Sequence, residues 1–224
     1  MAELAKPEKR QVNPSRIIAA LAITVIVFII GVFIGQLLTE SKTNTLENIQ
    51  TSLALELTEL QLQAEVLEQN PCESDEALKR LGGRLDSVAE QLETLENQLG
   101  KTDKRVIELK KPYTLLLVRH YLLYQKRVDY CLENPTLLLF FLSNEGTLRE
   151  LSENQGFILK YLQGVYGYDK LKVYAIDTGL DLAIVTTLKE LYKVTEVPTL
   201  VINKKTYSGF KTQEQIESAI NQNN

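Results

Sequence analysis

Thr136-Leu137-Leu138-Leu139-Phe140-Phe141-Leu142 is an unbroken apolar run of strand length. A half-wet strand alternates apolar with polar positions. A run with no such alternation reads as a strand buried on both faces, in a sheet with helices to either side. Asn134-Pro135 marks the break that precedes it. Downstream, the pattern predicts a helix from about Thr147 to Leu162, a strand from Leu171 to Ile176 ending at Asp177, and a helix from about Leu180 to Lys193. The strand Thr199 to Ile202, a turn at Asn203-Lys204, the strand Thr206 to Phe210 and a last helix from Thr212 to Ile220 complete the chain. The order β-α-β-α-β-β-α implies a mixed sheet with one parallel crossover and a closing hairpin, covered by helices on both faces.

These residues resemble the thioredoxin-like superfamily. The match rests on Val173-Tyr174-Ala175-Ile176-Asp177, on the continuous stretch from Leu191-Tyr192-Lys193-Val194 through Val197-Pro198-Thr199-Leu200-Val201-Ile202-Asn203, and on Gly209-Phe210, and it covers about Pro135 to Asn221. The resemblance implies a cis Pro198, with the backbone of Val197 presented to whatever binds there. It further implies a contact surface formed by Val197, Pro198 and Thr199 with the facing turn Asn144, Glu145 and Gly146. Family enzymes carry Cys-x-x-Cys at that turn, where a helix start lowers the thiol pKa. Here the turn reads Ser143-Asn144-Glu145-Gly146-Thr147-Leu148, and Leu137 to Leu142 contains no acid. An alcohol cannot exchange disulfides, so Ser143 and Thr147 read as helix caps. The implied domain, residues 134–224, is redox-inactive with no catalytic residue.

Upstream, apolar residues three or four apart form helical seams through Leu46, Ile49, Leu53, Leu57, Leu60, Ala64 and Leu67, and again through Leu78, Leu81, Leu85, Val88, Leu92, Leu95 and Leu99. A third segment carries Val106, Leu109, Tyr113, Leu116, Leu123 and Tyr130, with a kink expected at Pro112. Gly100 ends the second helix and Thr102 or Asp103 caps the third, which predicts an antiparallel hairpin. Cys72 and Cys131 lie at similar distances on either side of that turn, so the hairpin predicts a disulfide between them. His120 falls on the seam as a hydrogen-bonded packing residue. Lys101, Lys104, Arg105, Lys110 and Lys111, interspersed with Asp103 and Glu108, read as a solvated face.

Residues Ile17 to Leu38 carry no charge. They would extend about 33 Å as a helix, enough for a hydrocarbon core of about 30 Å. Lys6, Lys9, Arg10 and Arg16 precede the run, and Lys42 alone follows it closely. The expectation is an uncleaved signal anchor in contact with membrane lipid over residues 17–38. The tail 1–16 would be cytoplasmic, and a helical region 39–133 and the domain 134–224 would be extracytoplasmic. Gly31 and Gly35 read first as lipid-facing filler, since glycine is common in membrane helices, and second as a face through which two such helices pair. The expected fold class is therefore α+β: a single-pass transmembrane helix, a long helical stalk or hairpin, and a C-terminal α/β thioredoxin-like domain.

The formal net charge of -4 and the lack of a continuous basic face argue against a nucleic-acid ligand. One histidine and two cysteines offer no zinc spacing, and no phosphate loop or nucleophile elbow is present, so no metal or cofactor is expected. The function expected is a binding or scaffold role toward a protein or peptide partner. The alternatives are thiol-disulfide exchange through Cys72 and Cys131, and a coiled-coil assembly subunit that oligomerises through the helical seams or Gly31 and Gly35.

Overall fold

The computed structural model describes residues 15, 18–19, 21–33, 58–59, 61–69, 71–73, 75–131 and 135–222. Helix α1 (Asp75–Leu99) places Leu78, Leu81, Leu85, Val88, Leu92 and Leu95 on one face, and all six are buried. Gly100, at φ +95°, ends it with its N–H on the carbonyl of Glu96 at 2.8 Å, in a left-handed conformation that costs glycine nothing. Asp103 then caps helix α2 (Lys104–Cys131) by accepting the Arg105 N–H at 2.9 Å. The two helices are antiparallel. Lys110 meets Glu96 near the turn, while Cys131 is bonded to Cys72 at the open end with their Cα atoms 5.4 Å apart. Gly82 has a packing reason: a Cβ there would come within 3.3 Å of the His120 ring.

β1 (Thr136–Leu142) follows α2 almost directly, and then α3 (Gly146–Tyr166), β2 (Leu171–Asp177), α4 (Ala183–Leu191), β3 (Thr199–Ile202), β4 (Lys205–Ser208) and α5 (Gln213–Asn221). The sheet order is β2-β1-β3-β4, with β2 parallel to β1 and β3 antiparallel to both β1 and β4. The apolar run is explained by what covers it. Leu137, Leu139 and Phe141 join Leu117, Tyr121 and Tyr124 of α2 and Val185 and Leu188 of α4 in one core. Leu138 and Phe140 point the other way, onto Leu159 and Leu162 of α3 and Ile216 and Ile220 of α5.

Three expectations need correction. The described structure is mainly helical with one small sheet, and its hairpin is no stalk held apart: residues 53–224 form a single unit. The physical reason is that α2 buries a second stripe, Leu117-Tyr121-Tyr124, beside the seam assigned to it. So broad an apolar surface needs the sheet as well as α1. Tyr130, assigned to the seam, is instead exposed.

The membrane anchor is also not supported. Among the described residues no helix is long and apolar enough to cross a membrane. The lipid contact over 17–38, the signal anchor and the topology built on them, with a cytoplasmic N-terminus and the rest extracytoplasmic, go with it. Gly35 and the seam positions Leu46, Ile49, Leu53, Leu57 and Leu60 lie outside the described residues. Of that seam, Ala64 is fully buried and Leu67 half-buried, and Glu59 and the Glu68 carbonyl reach Arg84 and Lys126 of the hairpin.

The Cys72–Cys131 bond closes a loop with a sequence separation of 59. Its removal in a C72S/C131S variant is expected to lower unfolding free energy by about 2–4 kcal/mol, read by urea titration, with the far-UV spectrum retained.

Candidate functional site

The last residues of β1, β2 and β4 and the first of β3 meet at one edge of the sheet. Leu142 pairs with Asp177, Phe141 with Thr199, and Thr199 with Ser208. The segments just beyond these rows, Ser143 to Gly146, Asp177 to Gly179, Glu196 to Pro198 and Gly209-Phe210, are thereby neighbours.

In the first of them Ser143 is buried, and its hydroxyl accepts the Glu145 N–H at 3.2 Å, while its own N–H donates to the Ser152 hydroxyl at 3.1 Å. The residue that starts α3 is Glu145, with no side-chain cap. Neither Ser143 nor Thr147 is therefore the cap; the serine instead ties the turn to the second turn of the helix. Asn144 donates to the Asp177 carboxylate at 2.6 Å. Glu145 and Gly146 are exposed.

Asp177 is the hub of a mostly buried ion cluster. Lys110 lies 3.0 Å from it and 2.8 Å from Glu96, each side chain being 12–15% exposed. Burial pushes the Lys110 ammonium down, but the adjacent Asp177 and Glu96 carboxylates outweigh it and raise the pKa. This cluster ties both hairpin helices to the end of β2 and, through Asn144, to the turn after β1. Sequence reading missed it because Lys110 was grouped with the solvated basic face. That reading suits its neighbours: Lys101 reaches Glu153, Arg105 pairs with Asp103 and Lys111 with Glu108, all on exposed groups. The signal available was Asp177 itself, an acid closing an apolar strand. Lys110→Met would leave two carboxylates facing each other without their cation. A loss of about 3 kcal/mol in urea unfolding is expected.

The Val197-Pro198 peptide is cis. Pro198 and Thr199 are buried, and the Thr199 hydroxyl donates to the Glu196 carbonyl at 2.7 Å, so neither side chain is offered to a ligand. Val197 is half-buried, with its side chain against the hairpin core. Neither its N–H nor its C=O takes part in a backbone hydrogen bond among the described residues. Of the six residues proposed as a contact surface, the structure thus brings all to one edge but exposes only Glu145 and Gly146 fully.

His120 lies outside this edge, buried between α1 and the sheet. Its Nε2 is 3.0 Å from the Leu78 carbonyl, which can only accept, so Nε2 carries the proton and Nδ1 accepts from the Tyr174 hydroxyl at 3.2 Å. Burial holds its pKa down to about 4, with the Leu78 carbonyl opposing and Lys172 adding to the shift. From about pH 6.5 down to about pH 4 the unfolded chain takes up a proton here that the folded chain refuses, so stability falls through that window by roughly 3 kcal/mol. In His120→Gln this component is absent. The stability gap between wild type and variant, measured by urea unfolding, should therefore narrow from pH 7 to pH 4.

Among the described residues no group of three or more His, Cys, Asp or Glu side chains is placed to hold a metal ion. No family model matches the chain, and no curated protein matches it. A solved structure described as "Structure of a malarial protein" is similar over 40% of this chain and 98% of its own, at 17% identity and a TM-score of 0.34. A likeness at that level assigns neither fold nor activity.

Proposed function

We propose that residues 134–224 are a redox-inactive thioredoxin-like domain that binds an extended peptide or protein segment at the edge formed by Val197, Pro198 and Thr199 with Asn144, Glu145 and Gly146. The carrying observation is the Val197 peptide group. A half-buried N–H and C=O without backbone partners are groups that a bound strand would satisfy. The turn opposite offers no nucleophile, since it has no sulfur and Ser143 is enclosed by Ser152 and the Glu145 N–H.

Disulfide exchange through Cys72 and Cys131 is disfavoured by position. Cys131 precedes β1, so the length of that strand, roughly 20 Å, separates it from the edge. It is also the last residue of α2, where the negative end of the helix dipole opposes a thiolate. The bond itself fits an oxidising environment.

The test is selection of unstructured twelve-residue peptides against the full chain, followed by amide chemical-shift mapping. Shifts centred on Glu145, Gly146 and Thr195 to Thr199 are expected. Replacing the Val197 amide by an ester, which removes its N–H and leaves the Glu196 carbonyl a weaker acceptor for the Thr199 hydroxyl, should weaken binding about tenfold while moving the thermal midpoint only slightly. Peptides that map elsewhere, or bind the ester protein equally well, would overturn the reading.

A further inference from the structure

The same edge carries features that define what kind of segment would fit, and the inference from them rests on the binding reading above. Glu145 and Glu196 flank the unpaired Val197 backbone. A carboxylate oxygen of Glu145 stands over Gly179 and one of Glu196 over Gly209, within 3.8 Å and 3.5 Å of where a Cβ on each glycine would sit. Both residues are exposed, and no hydrogen bond or ion pair engages either carboxylate among the described residues. Of the other acids of the region, Asp177 is paired with Lys110 and Glu153 with Lys101. Arg149 also lies in the field of Glu153. Lys211, beside Phe210, is half-buried, with its backbone N–H on the Gln155 side chain at 2.7 Å.

Beside the two carboxylates lies apolar surface that the cores do not absorb. Leu148 and Leu151, on the first two turns of α3, and Phe210, next to Gly209, are 41%, 44% and 40% exposed. The two bonds between Gln155 and the Lys211 backbone draw the start of α3 and the segment after β4 together. Leu151 sits one turn before Gln155 on the same helix face, and Phe210 is adjacent to Lys211.

We infer that the edge selects an extended segment of a partner protein in which a basic side chain, Lys or Arg, adjoins an aliphatic or aromatic one. The backbone of Val197 holds the segment as an added strand, Glu145 or Glu196, on opposite sides of it, takes the cation, and Leu148, Leu151 and Phe210 take the apolar neighbour. Side chains of an extended segment alternate in direction, so one strand can address the carboxylates and the apolar surface at successive positions.

The probes are three nonapeptides of equal length on the full chain: one alternating Lys with Leu, one with Glu for each Lys, and one with Ala for each Leu. Fluorescence anisotropy at low and high salt should show the Lys-Leu peptide binding at least about tenfold tighter than the Glu-Leu peptide. The preference should shrink as salt screens the exposed carboxylates. An E145Q/E196Q variant with an unchanged thermal midpoint should lose the preference while keeping sensitivity to the Val197 ester. Leu151→Ser should weaken the Lys-Leu peptide toward the Lys-Ala level. Peptides that bind in an ester-sensitive way without any charge preference, or a preference that survives E145Q/E196Q, would overturn this inference and leave the binding reading standing. Binding insensitive to the ester would overturn both.

Discussion

Strand β1 has no face that tolerates water, and the described residues from 75 to 222 are arranged to meet that constraint. Its odd-numbered residues require one apolar layer and its even-numbered residues another. The second layer is ordinary for a small mixed sheet, two helices from the same segment of chain. The first draws on the preceding hairpin, whose helix α2 contributes Leu117, Tyr121 and Tyr124 in addition to its seam with α1. The burial of each such side chain contributes on the order of 1.5–3 kcal/mol, so the hairpin and sheet depend on each other far more than any surface ion pair could make them.

Polar groups follow where that packing leaves them. Lys110 faces the end of β2 and is neutralised on both sides, by Glu96 from its own hairpin and by Asp177 from the sheet. The same Asp177 holds Asn144 and the Gly179 N–H, which orders the turn after β1 and the loop after β2 together. The edge is thus prepared from behind by charges that no longer face solvent, and its front is left with carboxylates that have none to meet.

Much of this architecture is legible in the residues. The seam of α1 is buried position for position at Leu78, Leu81, Leu85, Val88, Leu92 and Leu95, because a heptad-like spacing leaves little choice of face. The turn at Gly100 and the cap at Asp103 follow from residues with strong local preferences. Position on α2 is less legible, since two adjoining stripes on one helix blur the period, and Tyr130 was assigned to a seam it does not enter. The long uncharged run near the N-terminus misled for a different reason. Hydropathy reports what a segment would tolerate, whereas the helical length required to cross a bilayer is not met among the described residues. At the edge, the backbone role of Val197 could be anticipated, but the pairing of Lys110 with Asp177 spans 67 residues of chain and the burial of Thr199 depends on its pairing with Phe141 in β1, so neither leaves a local trace.

The short passage from α2 into β1 has a consequence for synthesis. A ribosome releases the hairpin first and β1 immediately after it, yet the strands that flank β1 and the helices that cover its far side come from residues 146–221. During that interval the central strand and the Leu117-Tyr121-Tyr124 stripe have only each other for cover. The nascent chain therefore passes through a state with one side of its most apolar strand bare, the kind of species that invites capture by a chaperone or by another unfinished copy.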